Sequence, residues 1–206
     1  MPVLKLIDEF ELTSLQRNAI FQQISDWEKI SYGENRYRTA EELSLCVTKE
    51  SSGFYVAFYK NELVGYIDIW QLTKSFYAGL RSSLIVEEDL SPAAIVTSTD
   101  QQTNLWYVGS MVIAESFSKS NNVKSGFLFK KLCACIPNHL SSKNFPISIL
   151  GVGSSLFGQK ILLRWGFDPI VADINAVDTP DRPRFEKHLQ VYDGPNAYDL
   201  RKKINT

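Results

Sequence analysis

Residues 105–126 read LWYVGSMVIAESFSKSNNVKSG, and this stretch of the sequence decides the fold. Its first part, 105–114, is apolar and rich in β-branched and aromatic side chains, which predicts a strand buried on both faces. A polar segment follows over 115–125, and Gly126 opens a helix with apolar residues at helical spacing until Pro137 stops it. A buried strand, a polar loop and a helix therefore follow one another at the centre of the chain.

Helices and strands are predicted on both sides of this stretch. Capping-box signatures begin at Thr13 and Thr39, and aromatic and β-branched residues flank a short polar turn at 60–62. Near the C-terminus, Gly166 is the C-cap glycine of a helix that begins near Ser155. The predicted elements are helices over 13–30, 39–47 and 154–165, strands over 53–59, 63–70, 147–152, 167–172 and 189–192, and a loop over 178–184.

A long connection over 72–104 separates the predicted hairpin from the central strand. Phe76 and Tyr77 fit an amphipathic helix, 87–92 is an acidic turn, and 97–103 is polar and typical of a loop. Connections of this length inside a compact domain are uncommon and are often functional. We expect the acidic run to be a solvated face, and the two aromatic residues are candidates for lining a pocket.

Composition and charge narrow the class of protein. The 206 residues carry 22 Lys plus Arg against 23 Asp plus Glu, a net charge of −1, and 44% of them are hydrophobic. This is enough apolar sequence for one folded domain over 1–206, and no basic excess exists to bind nucleic acid. Cys46, Cys133 and Cys135 are too few for a disulfide framework, and no signal peptide or membrane-spanning run is visible. We expect a cytoplasmic protein with no membrane contact and no metal.

The order of these elements resembles the GNAT N-acetyltransferase superfamily over about residues 10–193. The likeness is strongest over 53–70, over 105–136, and over 155–167 (SLFGQKILLRWGF), which is similar to the family's final helix and its Gly-Phe ending. The resemblance implies an α/β fold with a mixed, mostly antiparallel central sheet flanked by helices. The 72–104 connection is then an insertion between the third and fourth strands that forms a wall of the acceptor site.

The resemblance also implies an activity. Members transfer an acetyl or other acyl group from acyl-CoA, a co-substrate, to an amine, here on a small molecule or a peptide, and a homodimer is among the implied assemblies. The donor's pyrophosphate suits the free N–H groups at the start of a helix, and its pantetheine arm can pair with an exposed strand edge. The residues that the resemblance assigns to the donor are Met111, Val112, Ile113, Asn121, Lys124, Ser125, Gly126, Phe127 and Ser155.

Two departures from the family's pattern favour a second hypothesis. The family's phosphate loop has the form Gln/Arg-x-x-Gly-x-Gly/Ala, and the matching residues here are Asn121, Lys124 and Gly126. Lys124 attracts phosphate as a point charge, but its side chain occupies space that a glycine leaves open. Leu162 stands where many members have a tyrosine that protonates the departing thiolate. The alternative to an enzyme is therefore a GNAT-like binding or regulatory protein that has lost catalysis.

Acyl transfer to an amine needs a base, a stabilised oxyanion and an expelled thiolate. Glu115, at the end of the central strand, and Tyr107, within it, are the candidate bases, acting directly or through a water. Backbone N–H groups near Val112 are candidates for stabilising the oxyanion. Glu115 also suits a solvated strand-end charge, and Tyr107 suits a packed aromatic residue whose hydroxyl reaches solvent.

Other enzyme classes find less support in the sequence. No Ser/His/Asp arrangement or metal-ligand spacing can be assembled around the two histidines, His139 and His188. Gly151 and Gly153 follow a strand as in a dinucleotide fingerprint, but position 156 is a leucine and the hairpin upstream does not suit a parallel sheet. The acceptor stays open among protein N-termini, lysine, polyamines and small antibiotics.

Overall fold

In the computed structural model, the described residues are 1–33, 37–47, 53–96, 103–143, 146–170 and 182–189. Their strands are β1 (Val3–Leu6), β2 (Gly53–Tyr59), β3 (Glu62–Gln71), β4 (Leu105–Ile113), β5 (Ile147–Val152), β6 (Asp168–Pro169) and β7 (Arg184–Leu189). Their α-helices are α1 (Ser14–Tyr32), α2 (Ala40–Val47), α3 (Lys74–Arg81), α4 (Glu115–Ser120), α5 (Asn122–Leu140) and α6 (Leu156–Arg164). Short 3-10 helices occupy Ile7–Glu9, Glu87–Asp89 and Pro92–Ala94.

The strands form one mostly antiparallel sheet in the order β1-β2-β3-β4-β5-β7-β6. Only β4 and β5 pair in parallel among these described strands, and every other neighbouring pair is antiparallel. The predicted α/β fold with a mixed, mostly antiparallel sheet flanked by helices is therefore confirmed. The single domain over 1–206 stays a prediction.

Apolar side chains fill the space on both faces of the sheet. Leu128 of α5 and Ile161 of α6 belong to one core cluster, and Ile24 of α1 belongs to the other. Consecutive residues of β4 enter opposite clusters, since Trp106 lies in the first and Tyr107 in the second. Residues 106–108 of this central strand are therefore buried as the sequence predicted, whereas residues 109–113 are only partly buried. Each large apolar side chain buried in β4 contributes about 1.5–3 kcal/mol.

Local sequence signals predicted several element boundaries correctly. The Thr13 hydroxyl accepts from the N–H of Gln16 at 3.2 Å, and Thr39 does the same for Glu42 at 3.2 Å. Lys60 and Asn61 adopt the left-handed backbone conformation of a tight hairpin turn, with φ of 52° and 65°. Gly166 ends α6 with φ of 77°, which confirms the predicted C-cap glycine.

The predicted loop over 115–125 is wrong. Residues Glu115–Ser120 form α4, and α5 already begins at Asn122, so Gly126 lies inside a helix. The buried side chain of Phe117 anchors α4 against the core, which outweighs the polar sequence around it. Pro137 also fails to stop α5, because the buried residues around it hold the last turn in place at the cost of one backbone hydrogen bond.

The late strands also differ from the prediction. β7 covers Arg184–Leu189, upstream of the predicted 189–192, whose last residues lie outside the described part of the chain. The sequence did not predict this strand, because charged residues alternate along it and are usually exposed. Arg184 and Glu186 are instead buried with hydrogen-bond partners. Within the described part of the predicted strand over 167–172, Asp168–Pro169 form β6. Residues 171–172 of that prediction and 178–181 of the predicted loop lie outside the described residues. The short edge strand β1 was not predicted.

The predicted helix in the long connection is confirmed as α3. Tyr77 is buried and its hydroxyl donates to Glu186 at 2.7 Å, while Phe76 packs against the core beneath α3. Neither aromatic side chain lines the cavities described below. Among the described residues, no helix is long and apolar enough to cross a membrane, and no group of three His, Cys, Asp or Glu is placed to hold a metal ion.

His139 of α5 is held in a neutral form, which predicts acid destabilisation. Its Nδ1 lies 3.1 Å from the Tyr55 hydroxyl, and its ring packs edge-on against Trp106 at 5.4 Å. Burial lowers the pKa of His139 from 6.5 to about 4. The unfolded chain therefore takes up this proton first, so stability is full above about pH 6.5 and falls as the pH drops towards 4.

We expect this histidine to account for a loss of roughly 3 kcal/mol in the free energy of unfolding between pH 6.5 and 4. Urea unfolding of the wild type and of His139→Gln at several pH values in this window measures the difference. Gln keeps a polar partner for Tyr55 but cannot titrate. Parallel pH profiles for the two proteins would contradict the assignment.

Candidate active site

The parallel pair of β4 and β5 separates into a cleft. Pairing runs from Leu105 opposite Ser148 to Val108 opposite Gly151, although β4 continues to Ile113. Beyond Val108, the β5-facing edge of β4 has no strand partner among the described residues. An unpaired strand edge offers backbone N–H and C=O groups to an extended ligand.

A β-bulge lies in β4 where the two strands part. Asp68 of β3 lies opposite two residues of β4, Gly109 and Ser110, because the pairing register shifts there. The Asp68 carboxylate accepts a hydrogen bond from the N–H of Ser110 at 2.9 Å. A Cβ at position 109 would stand 1.9 Å from that carboxylate, so only glycine permits this close approach. A buried side chain therefore fixes the shape of the strand beside the cleft.

Asp68 belongs to a buried charge network behind the bulge. Nη2 of Arg38 lies 2.5 Å from Asp68 Oδ2 and 2.5 Å from Glu28 Oε1. The Tyr66 hydroxyl donates to the same Glu28 oxygen at 2.7 Å. One guanidinium therefore joins α1, the segment before α2, and β3, with two carboxylates sharing its charge. We refer to Glu28, Arg38 and Asp68 as the Arg38 network.

Burial and ion pairing shift the pKa values of the Arg38 network in opposite directions. Burial raises the pKa of Asp68, and the charge of Arg38 offsets this only in part. Burial also opposes ionisation of Glu28, but the Arg38 charge and its hydrogen bonds outweigh it and lower the pKa of Glu28. Arg38 stays charged, because the two carboxylates raise its pKa despite burial. The network therefore depends on the presence of Arg38.

The cleft between β4 and β5 has a volume of about 240 Å³ and a mostly apolar lining. Met111 and Ile113, both predicted donor residues, line it from β4, whereas Val112 packs against the core on the other face. Ser155 lines it at the start of α6, where its hydroxyl accepts from the N–H of Gly158 at 3.0 Å. A narrow apolar cleft bordered by a strand edge fits an extended chain that contains amides.

A smaller polar pocket of about 80 Å³ adjoins the cleft. Tyr32, Glu87, Ser110 and Ser154 line both spaces. The other lining residues are mainly charged or polar: Glu28, Ser31, Tyr37, Arg38, Glu88, Leu90, Tyr107 and Arg182. A ligand in this pocket therefore meets a ligand in the cleft beside Ser110 and Glu87.

Glu87 is the carboxylate at the junction of the two spaces. The Tyr107 hydroxyl donates to Glu87 Oε1 at 2.6 Å, and Arg182 pairs with the other oxygen of Glu87 and with Glu88. Burial, and then the charge of Glu87, raise the pKa of Tyr107 well above its usual value. Tyr107, a predicted base, therefore carries its proton at neutral pH and orients Glu87. The acidic run expected to be a solvated face is instead held by Arg182.

Glu115, the other predicted base, lies outside both spaces. It begins α4, its side chain is exposed, and its carboxylate pairs with Lys119 at 2.6 Å. The hydrogen bond from Lys119, and then its charge, lower the pKa of Glu115. A catalytic role for Glu115 stays a prediction, and its surroundings are those of a solvated surface ion pair.

The predicted phosphate-binding residues lie together at the start of α5. Ser125 N–H donates to the carbonyl of Asn121 at 2.8 Å, so the helical hydrogen bonds begin there and the preceding N–H groups have no helical acceptor. Nζ of Lys124 donates to the Tyr59 hydroxyl at 2.6 Å and lies over its ring. Gly126 has open space where a Cβ would stand, and Phe127 is partly exposed. Their role in donor binding stays a prediction.

Sequence reasoning missed the residues that hold the pocket together. Arg38, Asp68 and Arg182 were not singled out, and Glu87 and Glu88 were assigned to solvent. The signal available was an Asp inside an otherwise apolar strand, Asp68 between Ile67 and Ile69, since such a carboxylate requires a buried partner. Arg182 is hard to recognise from the sequence, because its partners Glu87 and Glu88 lie more than 90 residues earlier in the chain.

The expectation that no catalytic-type arrangement surrounds the histidines needs correction. Ser148 Oγ lies 2.8 Å from His188 Nδ1, and Glu186 Oε2 lies 3.3 Å from His188 Nε2. Ser148 faces His188 across the antiparallel pair of β5 and β7, and Glu186 lies on β7 two residues before His188. Neither the cleft nor the polar pocket includes them, so the arrangement has no substrate space beside it in these two cavities.

No family model matches the sequence, and no curated protein is significantly similar to it. Solved structures are similar over most of the chain. A structure of an aminoglycoside 6′-acetyltransferase type Ii is 14% identical, with a TM-score of 0.53 over 90% of this chain and 96% of that one. The chain has the GNAT fold.

Two further solved structures are similar to most of this chain at low sequence identity. PH1933 from Pyrococcus horikoshii OT3 is 16% identical, with a TM-score of 0.52 over 93% of this chain and 100% of that one. A GNAT-family acetyltransferase from Staphylococcus aureus Mu50 is 12% identical, with a TM-score of 0.49 over 92% of this chain and 100% of that one. At these identities the likeness to the GNAT fold concerns the fold alone.

Proposed function

We propose that the chain is an N-acyltransferase that moves an acyl group from a pantetheine thioester, such as acetyl-CoA, to an amine. The observation that carries this proposal is the junction of the two spaces, where the unpaired edge of β4 meets the Glu87 carboxylate. The similar fold of an aminoglycoside acetyltransferase supports transfer to an amine.

The donor would lie along the open edge of β4. Amides of the pantetheine arm would pair with the backbone over 109–113, and the apolar lining would exclude water from the thioester. The pyrophosphate of coenzyme A would lie near the free N–H groups at the start of α5. Lys124 is turned towards Tyr59 and contributes charge nearby.

The acceptor would lie in the polar pocket. An ammonium group is attracted by Glu28, Glu87 and Glu88. It first loses one proton to solvent, and the neutral amine then gives a second proton to Glu87 as its nitrogen attacks the thioester carbonyl. A C–N bond forms, the C–S bond breaks, and the thiolate takes up a proton from the Glu87 carboxyl or from water. Backbone N–H groups of the open β4 edge would stabilise the oxyanion.

Donor binding and transfer test this proposal together. Acetyl-CoA or S-acetylpantetheine should raise the melting temperature, since a ligand at 100 times its Kd stabilises by about 2.7 kcal/mol. Ser154→Trp should abolish transfer to primary amines while the protein stays folded, because the exposed Ser154 lines both spaces. Ser116→Trp, an equal change on the exposed surface of α4, is the matched control and should leave transfer unchanged.

Two results would contradict the proposal. A folded protein that neither donor stabilises at millimolar concentration would have no donor site. A protein that is stabilised but transfers nothing to a broad panel of amines would be a GNAT-like binding or regulatory protein, the alternative favoured by Leu162 and by Lys124 in the phosphate loop.

A further inference from the structure

Positive charge is concentrated in one part of the chain. Residues 116–167 contain seven of the 22 Lys and Arg residues and no Asp or Glu, although the whole chain has a net charge of −1. This part of the chain forms α5, β5 and α6, and both helices pack on the same face of the sheet. Residues 116–167, several of which line the donor cleft, therefore carry a net formal charge of +7.

The helix surfaces that flank the cleft mouth also expose apolar side chains. Val123 on α5 is 88% exposed, and Leu156 and Phe157 on α6 are 75% and 64% exposed. The rings of Phe129 and Phe157 lie 6.0 Å apart and join the two helices beside the cleft. We call the surface formed by Val123, Phe127, Lys130, Leu156, Phe157 and Lys160 the α5–α6 rim.

The lysines of the α5–α6 rim are too far apart for a single pyrophosphate to contact all of them. Lys130 lies eight residues beyond the first residue of α5, a distance of about 12 Å along the helix axis. Lys160 is on the other helix and is exposed, as is Arg164. Lys124, the lysine nearest the helix start, is engaged by Tyr59. The outer lysines are therefore available to a larger anionic partner.

The mixture of residue types indicates which partner that is. Exposed aliphatic residues beside lysines are typical of a protein interface, where a partner's helix buries the apolar groups and its carboxylates face the lysines. A nucleic acid would gain little from Val123 and Leu156, since it is bound by arginine, lysine and stacking aromatic residues. The charge complement of this surface is an acidic protein.

We propose that the α5–α6 rim docks an acidic acyl carrier protein, whose phosphopantetheine arm delivers the acyl thioester into the cleft between β4 and β5. This proposal rests on the proposed function, and it makes a carrier protein rather than coenzyme A the source of the acyl thioester. The arm alone enters the cleft, the carrier covers the apolar rim, and the acidic helix of the carrier faces Lys130 and Lys160. The bonds made and broken are those of the transfer above, with the thiol returned on the carrier's arm.

The experiment compares three acetyl donors in one assay with a primary amine: acetyl-CoA, acetylated holo acyl carrier protein and S-acetylpantetheine. The carrier should give a kcat/KM about 10- to 100-fold above acetyl-CoA, and this advantage should shrink as salt rises. Lys130→Glu with Lys160→Glu should remove most of that advantage without a similar loss with S-acetylpantetheine. Lys74→Glu, an exposed lysine on α3, is the matched control and should leave the donor ranking unchanged.

The possible results distinguish an error in the proposed donor from an error in the proposed reaction. If acetyl-CoA is the better donor, or if the double variant weakens all donors equally, carrier docking is overturned and acyl transfer stands. If no donor supports transfer, binding of holo carrier to the wild type and the double variant decides, measured by fluorescence anisotropy. Three results would each overturn the proposal. They are no binding when the carrier concentration is 100 times a micromolar Kd, tighter binding of a single-stranded RNA than of the carrier, and a homodimer that covers the rim.

Discussion

Glu87→Gln is expected to lower kcat for acyl transfer by about 10²- to 10⁴-fold, the range for loss of a general base. Gln keeps the size of the side chain and can still accept the hydrogen bond from Tyr107, but it cannot take a proton from the amine. The Kd of the donor should change little, because the cleft lining apart from this side chain is unchanged. Steady-state kinetics and donor titration measure the two effects.

Two comparisons make this result specific. Glu41→Gln, an exposed carboxylate in α2, should leave kcat unchanged. Tyr107→Phe should lower kcat less than Glu87→Gln, since it removes only the group that orients the carboxylate. If Glu87→Gln keeps wild-type kcat and Glu115→Gln loses it, the base is the residue that the sequence suggested, and the role proposed for Glu87 is wrong.

Arg38→Met is expected to lower the free energy of unfolding by about 3–5 kcal/mol. Removing the guanidinium leaves Glu28 and Asp68 buried without their shared cation, and the N–H of Ser110 then bonds to an uncompensated carboxylate. For a chain of this length each kcal/mol corresponds to roughly 2–4 °C in Tm. Urea unfolding and thermal melting at pH 7 measure the loss.

The surface pair of Arg17 and Asp8 provides the control for this prediction. Its charged atoms lie 2.6 Å apart but are partly exposed, so Arg17→Met should cost about 1 kcal/mol or less. Adding Glu28→Gln and Asp68→Asn to Arg38→Met should recover part of the stability, because the buried charges disappear with their partner. A loss no larger for Arg38→Met than for Arg17→Met would show that the buried network does not support the fold.

The parts of the fold predicted from sequence are those with local signals. The hairpin turn at Lys60 and Asn61, the cap at Thr13 and the glycine at Gly166 each depend on residues within a few positions. β4 was recognised because its apolar run is long and uninterrupted. The cleft lining from Met111 and Ile113 followed from the resemblance combined with this strand.

The parts that escaped prediction depend on distant contacts. α4 exists because Phe117 finds a place in the core, and α5 passes Pro137 because buried neighbours hold its last turn. The polar pocket requires Arg38 to reach Asp68, 30 residues away, and Arg182 to reach Glu88, 94 residues away. No periodicity or spacing in a single sequence encodes such pairs, so the charged residues of the pocket looked like ordinary surface.

Under the proposed function, the Arg38 network restricts how the preference for an acceptor amine can evolve. Glu28 and Arg38 line the pocket and also hold the bulge of β4, so a substitution that alters their contact with a ligand also weakens the fold. Ser31 and Tyr37 line the same pocket but do not belong to the Arg38 network, so a substitution there does not disturb the network. Adaptation to a new amine should therefore proceed on that side, while the Arg38 side is inherited unchanged.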